Sequence, residues 1–222
     1  MTTASTPVEP EERILTEGKP HLSFSRIGKY LDCPEKYRLY YIEHLRARCP
    51  SASMVFGSVV HAALSHLFKT GQDPVQRFTR EWDEVKKLDL TYGQRDSWEK
   101  LRETGRHLLE RFVSDELPRI GGVQASEKAF ELEITSLDLP FVGVIDLLAE
   151  VDGKQTVIDF KTAAKSYEEH EVVLSDQLSG YWLAEPEVKQ VAFCVLVKTK
   201  EPKVQWHFST RTGAKLTRCV KG

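Results

Sequence analysis

A chain of 222 residues with 31 Lys+Arg, 33 Asp+Glu and a formal net charge of −2 is long enough for one substantial domain or two small ones, with a core that needs no disulfide staples. Its 41% hydrophobic and 29% charged residues exclude a disordered polymer, and its longest apolar run, 191–197, is far too short to cross a bilayer, so no membrane partner is expected. Near-neutral charge gives no global sign of a nucleic-acid partner. The four cysteines, Cys33, Cys49, Cys194 and Cys219, contain no close pair, which points to a reducing, cytoplasmic setting. The first twenty residues carry Pro7, Pro10 and Pro20 and no apolar stretch, so no secretory signal is expected.

Residues 1–19 read as a flexible tail, rich in Thr, Pro and Glu. A helix is predicted over 23–41, capped by Ser23 or Ser25, with Ile27, Tyr30, Leu31 and Leu39 at helical spacing and Pro34 marking a break or restart. The second, over 54–68, presents Phe56, Val59, Val60, Ala63, Leu64, Leu67 and Phe68 on one face and ends at Gly71. A third follows Pro74 through Phe78, Trp82 and Val85. A fourth runs over 96–117 with Leu101, Leu108, Leu109, Phe112 and Val113 inward, stopped by Pro118 and the Gly121-Gly122 pair. The pattern then changes to strands over 130–135, 139–150 and 156–161, with Asp152-Gly153 as a hairpin turn. A helix over 174–184 precedes two last strands, 191–197 and 204–210. Helices first, then a hairpin-rich sheet interrupted by one helix, predict an α/β fold with a helical N-terminal layer.

The most informative stretch is Gly143-Val-Ile-Asp146 followed by Val157-Ile-Asp159-Phe-Lys161. Alternation along a strand projects Asp159 and Lys161 from one face, and Asp146, at the end of the preceding hairpin strand, can approach Asp159. Two converging carboxylates make a hard-oxygen site suited to magnesium or manganese, and an ammonium beside them can orient water or stabilise charge on a phosphate. Charges inside an otherwise apolar strand are costly unless paired or metal-bound, which argues against a simple exposed ion pair. His61, in the second helix, is a further ligand candidate, although a lone helix histidine is more often inert. Gln177 and Tyr181 stand four apart on one helix face, fit either to hold a phosphate or the lysine, or to form one turn of an amphipathic helix.

Taken in order, His61, Gly143-xx-Asp146, Asp159-Phe-Lys161-Thr162 and Gln177-xxx-Tyr181 resemble the PD-(D/E)xK nuclease superfamily, specifically its RecB-like branch. The opening Leu22-Ser-Phe-Ser-Arg26, Cys33-Pro-Glu-Lys-Tyr37-Arg38-Leu-Tyr40 and Phe56-Gly57-xxx-His61 match that branch as well, so the resemblance runs over 21–197. It implies a restriction-endonuclease-like mixed sheet flanked by helices, forming a single nuclease domain over 20–222, with 20–120 mainly helical and 121–222 carrying the sheet core. It also implies a Mg²⁺- or Mn²⁺-dependent deoxyribonuclease, more an exonuclease than an endonuclease, working in recombination, repair or phage replication on linear ends or single strands, with a helicase or recombination partner. His61, Asp146, Asp159 and the carbonyl of Phe160 would hold the metal. Lys161 would orient the attacking water, Gln177 and Tyr181 would support the site and the DNA, and Glu127 resembles an acidic position that often precedes the hairpin. The alternative of another class is a non-catalytic module of the same fold that binds DNA ends or docks a helicase. Some relatives hold an iron–sulfur cluster with one N-terminal and three C-terminal cysteines. Only Cys33 matches that pattern, and no cluster is expected.

Local charge sharpens the partner. Residues 19–48 contain seven Lys/Arg against three acids, interleaved with Tyr30, Tyr37, Tyr40 and Tyr41. This combination is suited to phosphate contact and base stacking, and it marks Arg26, Tyr37 and Arg38 as DNA-binding candidates, although a solvated helical face would look similar.

Overall fold

The computed structural model describes residues 20–134, 138–173 and 175–210. The expected tail over 1–19, the end of the strand at Thr135 and the position of Cys219 lie outside them. The described residues pack as two compact units, one drawn from Met1–Pro50 and Ala129–Val144, the other from Ser51–Lys128 and Ile145–Gly222.

In the first unit, helix α1 (Phe24–Asp32) opens on Ser23, whose hydroxyl accepts from the Arg26 N–H. Pro34 does restart the chain: α2 (Pro34–Tyr37) has Pro at its first turn, and a π-helical turn, Arg38–Ile42, follows. Leu22 bridges Phe141 through N–H bonds from Leu22 to Pro140 and from Val142 to Leu22 at 2.9 and 2.8 Å. The Phe24 and Phe141 rings meet edge to face, 4.6 Å apart. Gly143 is required here, because a Cβ would stand 2.5 Å from the Phe130 ring.

The second unit holds a helical layer on a sheet. Helix α3 (Ala52–Thr70) buries Phe56, Val60, Ala63 and Leu64, and stops at Gly71 in the left-handed region, φ +72°. Helix α4 (Pro74–Val85), capped by Asp73, buries Phe78, Trp82 and Val85 at i, i+4 and i+7. Helix α5 (Trp98–Arg111) begins at Ser97. Each of Trp82 and Trp98 donates its indole N–H to the other's carbonyl, at 3.0 and 3.1 Å, tying α4 to α5. The expected fourth helix runs on through a π turn, Phe112–Glu116, and a 3₁₀ turn, Leu117–Arg119. Val113, expected inward, is only half-buried, because the wider turn rotates it off the core face.

The five strands, β1 (Ile120–Leu132), β2 (Phe141–Val151), β3 (Lys154–Ala163), β4 (Gln190–Val197) and β5 (Lys203–Ser209), form one sheet in the order β1-β2-β3-β4-β5. β3 and β4 run parallel, while β2–β3 and β4–β5 are antiparallel. The fold is therefore α/β with a mixed sheet. β1 starts ten residues before the expected strand, and Gly121-Gly122 lie inside it rather than ending a helix. Gly122 takes φ +48° with the Glu150 side chain 3.2 Å from where its Cβ would stand. The Asp152-Gly153 turn closes β2 onto β3, and Arg119 clamps it by donating to both Asp152 oxygens at 3.1 and 2.7 Å. The helix expected over 174–184 is α7 (Asp176–Ala184), capped by Ser175, and a short helix that was not expected, α6 (Glu169–Val173), precedes it. Leu147, Ala149 and Val151 of β2, Ile158 and Phe160 of β3, and Cys194 and Leu196 of β4 share one core with α3, α4 and α5.

Gly105 of α5 is where that core is least tolerant, since a Cβ there would stand 2.0 Å from the tip of the fully buried Phe78 ring. Gly105→Ala is expected to destabilise by about 1–3 kcal/mol through overpacking. A thermal melt of the variant should show a midpoint several degrees lower, and Phe78→Leu in the same chain should recover part of it.

Candidate active site

The β2–β3 ladder runs from Val151↔Lys154 to Leu147↔Ile158, and Asp146 and Asp159 are the next residue on each strand. With Leu147, Ile158 and Phe160 given to the core, alternation sends Asp159 and Lys161 to the opposite face. Where pairing stops, the Phe160 N–H donates not to a strand carbonyl but to Asp146 Oδ2, at 2.8 Å. The same oxygen lies 3.5 Å from His61 Nδ1. His61 reaches it because α3 comes close to the end of β3: a Cβ at Gly57 would stand 3.0 Å from Thr162 Oγ1, and His61 is one turn further on the same face. Gly57 is a site-forming residue: the motif Phe56-Gly57-xxx-His61 contains it without saying what it does, and its signal is a glycine inside an apolar helix, four before a histidine.

Four side chains then close a ring. Lys161 Nζ is 2.8 Å from Asp159 Oδ2 and donates to Gln177 Oε1 at 2.9 Å. Gln177 Nε2 donates to Tyr181 Oη at 2.9 Å, and Tyr181 Oη donates to Asp159 Oδ1 at 2.9 Å. The i, i+4 spacing on α7 makes the Gln177–Tyr181 link, and Ser175, accepting from the Leu178 N–H at 3.3 Å, fixes where that helix begins. Asp159 and Tyr181 are each 2% exposed.

The two carboxylates differ in their electrostatics. Burial pushes the Asp159 carboxyl up, Asp146 adds to this, and Lys161 opposes it without reversing it. Burial acts on Asp146 in the same direction, but His61, Lys161 and the Phe160 N–H outweigh it and hold its carboxyl below the ordinary range. Burial disfavours charge on Lys161, yet Asp159 and then Asp146 raise the ammonium above its usual value. Burial likewise opposes a charged His61, and Asp146 overcomes it, so the imidazole is raised.

Among the described residues, no three His, Cys, Asp or Glu side chains converge closely enough to chelate an ion as they stand. The reason is visible in the partners: the Lys161 ammonium and the His61 ring lie where a cation would draw on the carboxylates. The donor set nevertheless fits a hard divalent ion. Asp159 Oδ2 is buried and accepts no well-angled hydrogen bond, with the Lys161 ammonium beside it. Asp146 stands at the same fork, and Phe160 follows Asp159 directly.

The other expected residues have partners of their own. Glu127, at φ +53°, forms an ion pair with Lys69. Arg26 stacks over Tyr41 at 4.4 Å, and Tyr37 packs edge to face on Tyr30 at 5.6 Å, both inside the first unit. Arg38 spans Glu35 and Glu43, so its charge is matched locally. Cys194 is buried in β4, which pushes its thiol well above the usual value.

The architecture is thus an α/β mixed sheet with Asp146, Asp159 and Lys161 gathered where two strands part. The chain belongs to the PD-(D/E)XK nuclease superfamily, whose family model matches residues 21–215. Among solved structures, it is similar to a “putative exonuclease” from Eubacterium rectale, 13% identical, covering 90% of this chain and 76% of that one with a TM-score of 0.58. The crystal structure of SSO0001 is also 13% identical, with 88% and 84% coverage and a TM-score of 0.33. No curated protein matches the chain.

A raised imidazole contributes stability that is complete below its unfolded value, near pH 6.5, and is lost as pH rises through the folded one. In metal-free protein, the gap in melting temperature between wild type and His61→Gln should therefore be widest below pH 6.5 and narrow toward alkaline pH. Parallel curves across pH 5–9 would show that the His61–Asp146 contact carries no charge.

Proposed function

We propose that this nuclease is a Mg²⁺- or Mn²⁺-dependent deoxyribonuclease of the RecB-like branch, acting as an exonuclease. The hydrogen-bond ring of Asp159, Lys161, Gln177 and Tyr181 carries the reading, because it joins two separate sequence motifs in one polar, buried network. The exonuclease assignment is supported by the likeness to the “putative exonuclease” from Eubacterium rectale, and the branch by the order of the motifs. Roles in recombination, repair or phage replication, and a helicase partner, follow from that branch. The residues from 20 on would work as one nuclease domain.

In this reading His61, Asp146, Asp159 and the Phe160 carbonyl hold the divalent ion. When bound, the ion supplies Lewis-acid polarisation of a phosphoryl oxygen and makes water a better nucleophile. Lys161 stays cationic on Nζ, oriented by Gln177 Oε1, and faces the negative charge that develops on the phosphate. Tyr181 holds Asp159 in one rotamer through Oδ1, leaving Oδ2 for the metal. Arg26 and Tyr37, in the first unit's cluster of tyrosines and cations, contact the DNA backbone and bases. Lys29 and Arg46, which lie over the Tyr40 ring at 3.4 and 3.6 Å, belong to the same surface. Arg38 contributes less, being paired with two acids.

Purified protein with Mg²⁺ or Mn²⁺ is expected to degrade linear DNA, and less readily circular DNA, in a panel of labelled single- and double-stranded DNA and RNA. Asp159→Ala and Lys161→Ala should each lower cleavage by at least about a hundredfold. Tyr181→Phe, which removes the donor to Asp159 but keeps the ring, should cost about 10–100-fold and raise the metal concentration needed. A wild type that cleaves nothing in the panel with either metal overturns the reading.

A further inference from the structure

Beyond the residues of the fork, the second unit carries a cation whose surroundings no other part of the fold explains. Lys198 directly follows β4, and its N–H donates to Ala163 O at the end of β3, at 2.8 Å. Because Lys161, Val195 and Ala163, Val197 are register pairs, Lys198 stands on the α3 side of the sheet, with the opposite sense to Lys161. Its ammonium lies 4.9 Å from the centre of the Phe56 ring and donates to Ser53 Oγ at 3.3 Å. Among the described residues no carboxylate lies within ion-pairing distance of it. It is half-buried, and burial pushes the ammonium below its ordinary value, Asp96 opposing from further away.

Several arginines of this unit are matched: Arg102 by Asp83, Arg106 by Glu103 and Glu110, Arg119 by Asp152 and Glu116. A desolvated cation over an aromatic ring with one hydroxyl for a partner is an incomplete anion site. Its position fits the reaction. Ser53, Gly57 and His61 are spaced four and eight residues along α3, so the Lys198–Ser53 pair lies about 12 Å along the helix from His61. That distance spans a few nucleotides of a strand whose phosphates succeed one another every ~3.4 Å of axis. Thr162 and Ala163 of β3 join the two places, Thr162 against Gly57 and Ala163 against Lys198.

We propose that Lys198 and Ser53 form a second phosphate subsite, which takes a non-bridging oxygen of the substrate strand a few nucleotides from the scissile bond and so sets the strand's register across the active site. The proposal rests on the nuclease reading and deepens it. Lys198 acts by binding and positioning, without touching the reacting atoms.

The test is equilibrium binding of a fluorescein-labelled 20-nucleotide single-stranded DNA by anisotropy, in EDTA so that nothing is cleaved, from 50 to 300 mM salt. Lys198→Gln should weaken binding several-fold and reduce the slope of log affinity against log salt by about 0.7, the loss of one phosphate contact. Lys198→Arg should restore the slope, and Ser53→Ala should weaken binding with the slope kept. Circular dichroism melts of each variant report folding, and the arginine variant keeps the charge at the site where glutamine is poorly tolerated. An unchanged affinity and slope in Lys198→Gln, or no recovery with arginine, overturns the subsite. Cleavage by wild type with manganese, run in parallel, separates the two readings. Cleavage together with an unaltered slope in the variant sinks the subsite alone, whereas a reduced slope without any wild-type cleavage sinks the nuclease reading and leaves an anion site.

Discussion

One carboxylate, set inside a sheet where water does not reach it, governs the organisation of the second unit. Asp159 occupies a strand position flanked by Ile158 and Phe160, both committed to the core. Leaving its charge unmatched would cost several kcal/mol. The compensation comes from two directions: Lys161, two residues on and on the same face, and Tyr181, brought over by α7. Gln177 then ties the ammonium to the phenol, so that every member of the ring is held by two others. Such a network fixes rotamers more firmly than any of its pairs would alone.

The fork between β2 and β3 is the second half of the same constraint. A carboxylate inside a ladder would project away from its neighbour strand's backbone, but at the last pair the strands separate and a backbone N–H becomes available. Asp146 takes the one on Phe160, which orients its other oxygen and brings the two carboxyl groups to one place. Antiparallel pairing on one side of β3 and parallel pairing on the other make this possible. The hairpin supplies Asp146 locally, while the parallel crossover carries the chain through α6 and α7 and so supplies Gln177 and Tyr181. Close approach of α3, permitted by Gly57, adds His61.

What could be read in the sequence follows from which signals are local. Period two in 157–161 sufficed to put Asp159 and Lys161 on one face, and the i, i+4 spacing sufficed to pair Gln177 with Tyr181, because each depends only on its own strand or helix. Caps and stops were equally legible: Ser23, Pro34, Gly71 and Pro74 each sit where a helix starts or ends. The first half of β1 was not, since Gly121 to Gln124 are exposed and exposed strand residues carry no alternation. Its glycines also imitate a stop. The π turns at Arg38–Ile42 and Phe112–Glu116 leave no mark in an apolar pattern, and with them went the placement of Val113. The part played by Gly57, and Lys198 altogether, escaped notice for a different reason. What distinguishes them is the backbone or ring that faces them from another element, a relation that only the folded chain displays.

Charge shows the same division between local and folded information. A net of −2 sums groups whose fates differ. Arg38 stands in the basic segment but is neutralised by acids three before and five after it, whereas Arg26, Lys29 and Arg46 lie over tyrosine rings. A cation over an aromatic face keeps its field outward and its stem desolvated, a state well matched to a phosphate and a base arriving together. At the fork the sign is reversed: two carboxylates are balanced by one lysine and one histidine that hydrogen-bonding partners hold in place. In the proposed reading, a divalent ion held by these carboxylates and His61 would take over their charge balance and leave Lys161 for the substrate phosphate. The ring's opposite corner, Gln177 Oε1, is then what keeps the ammonium at hand.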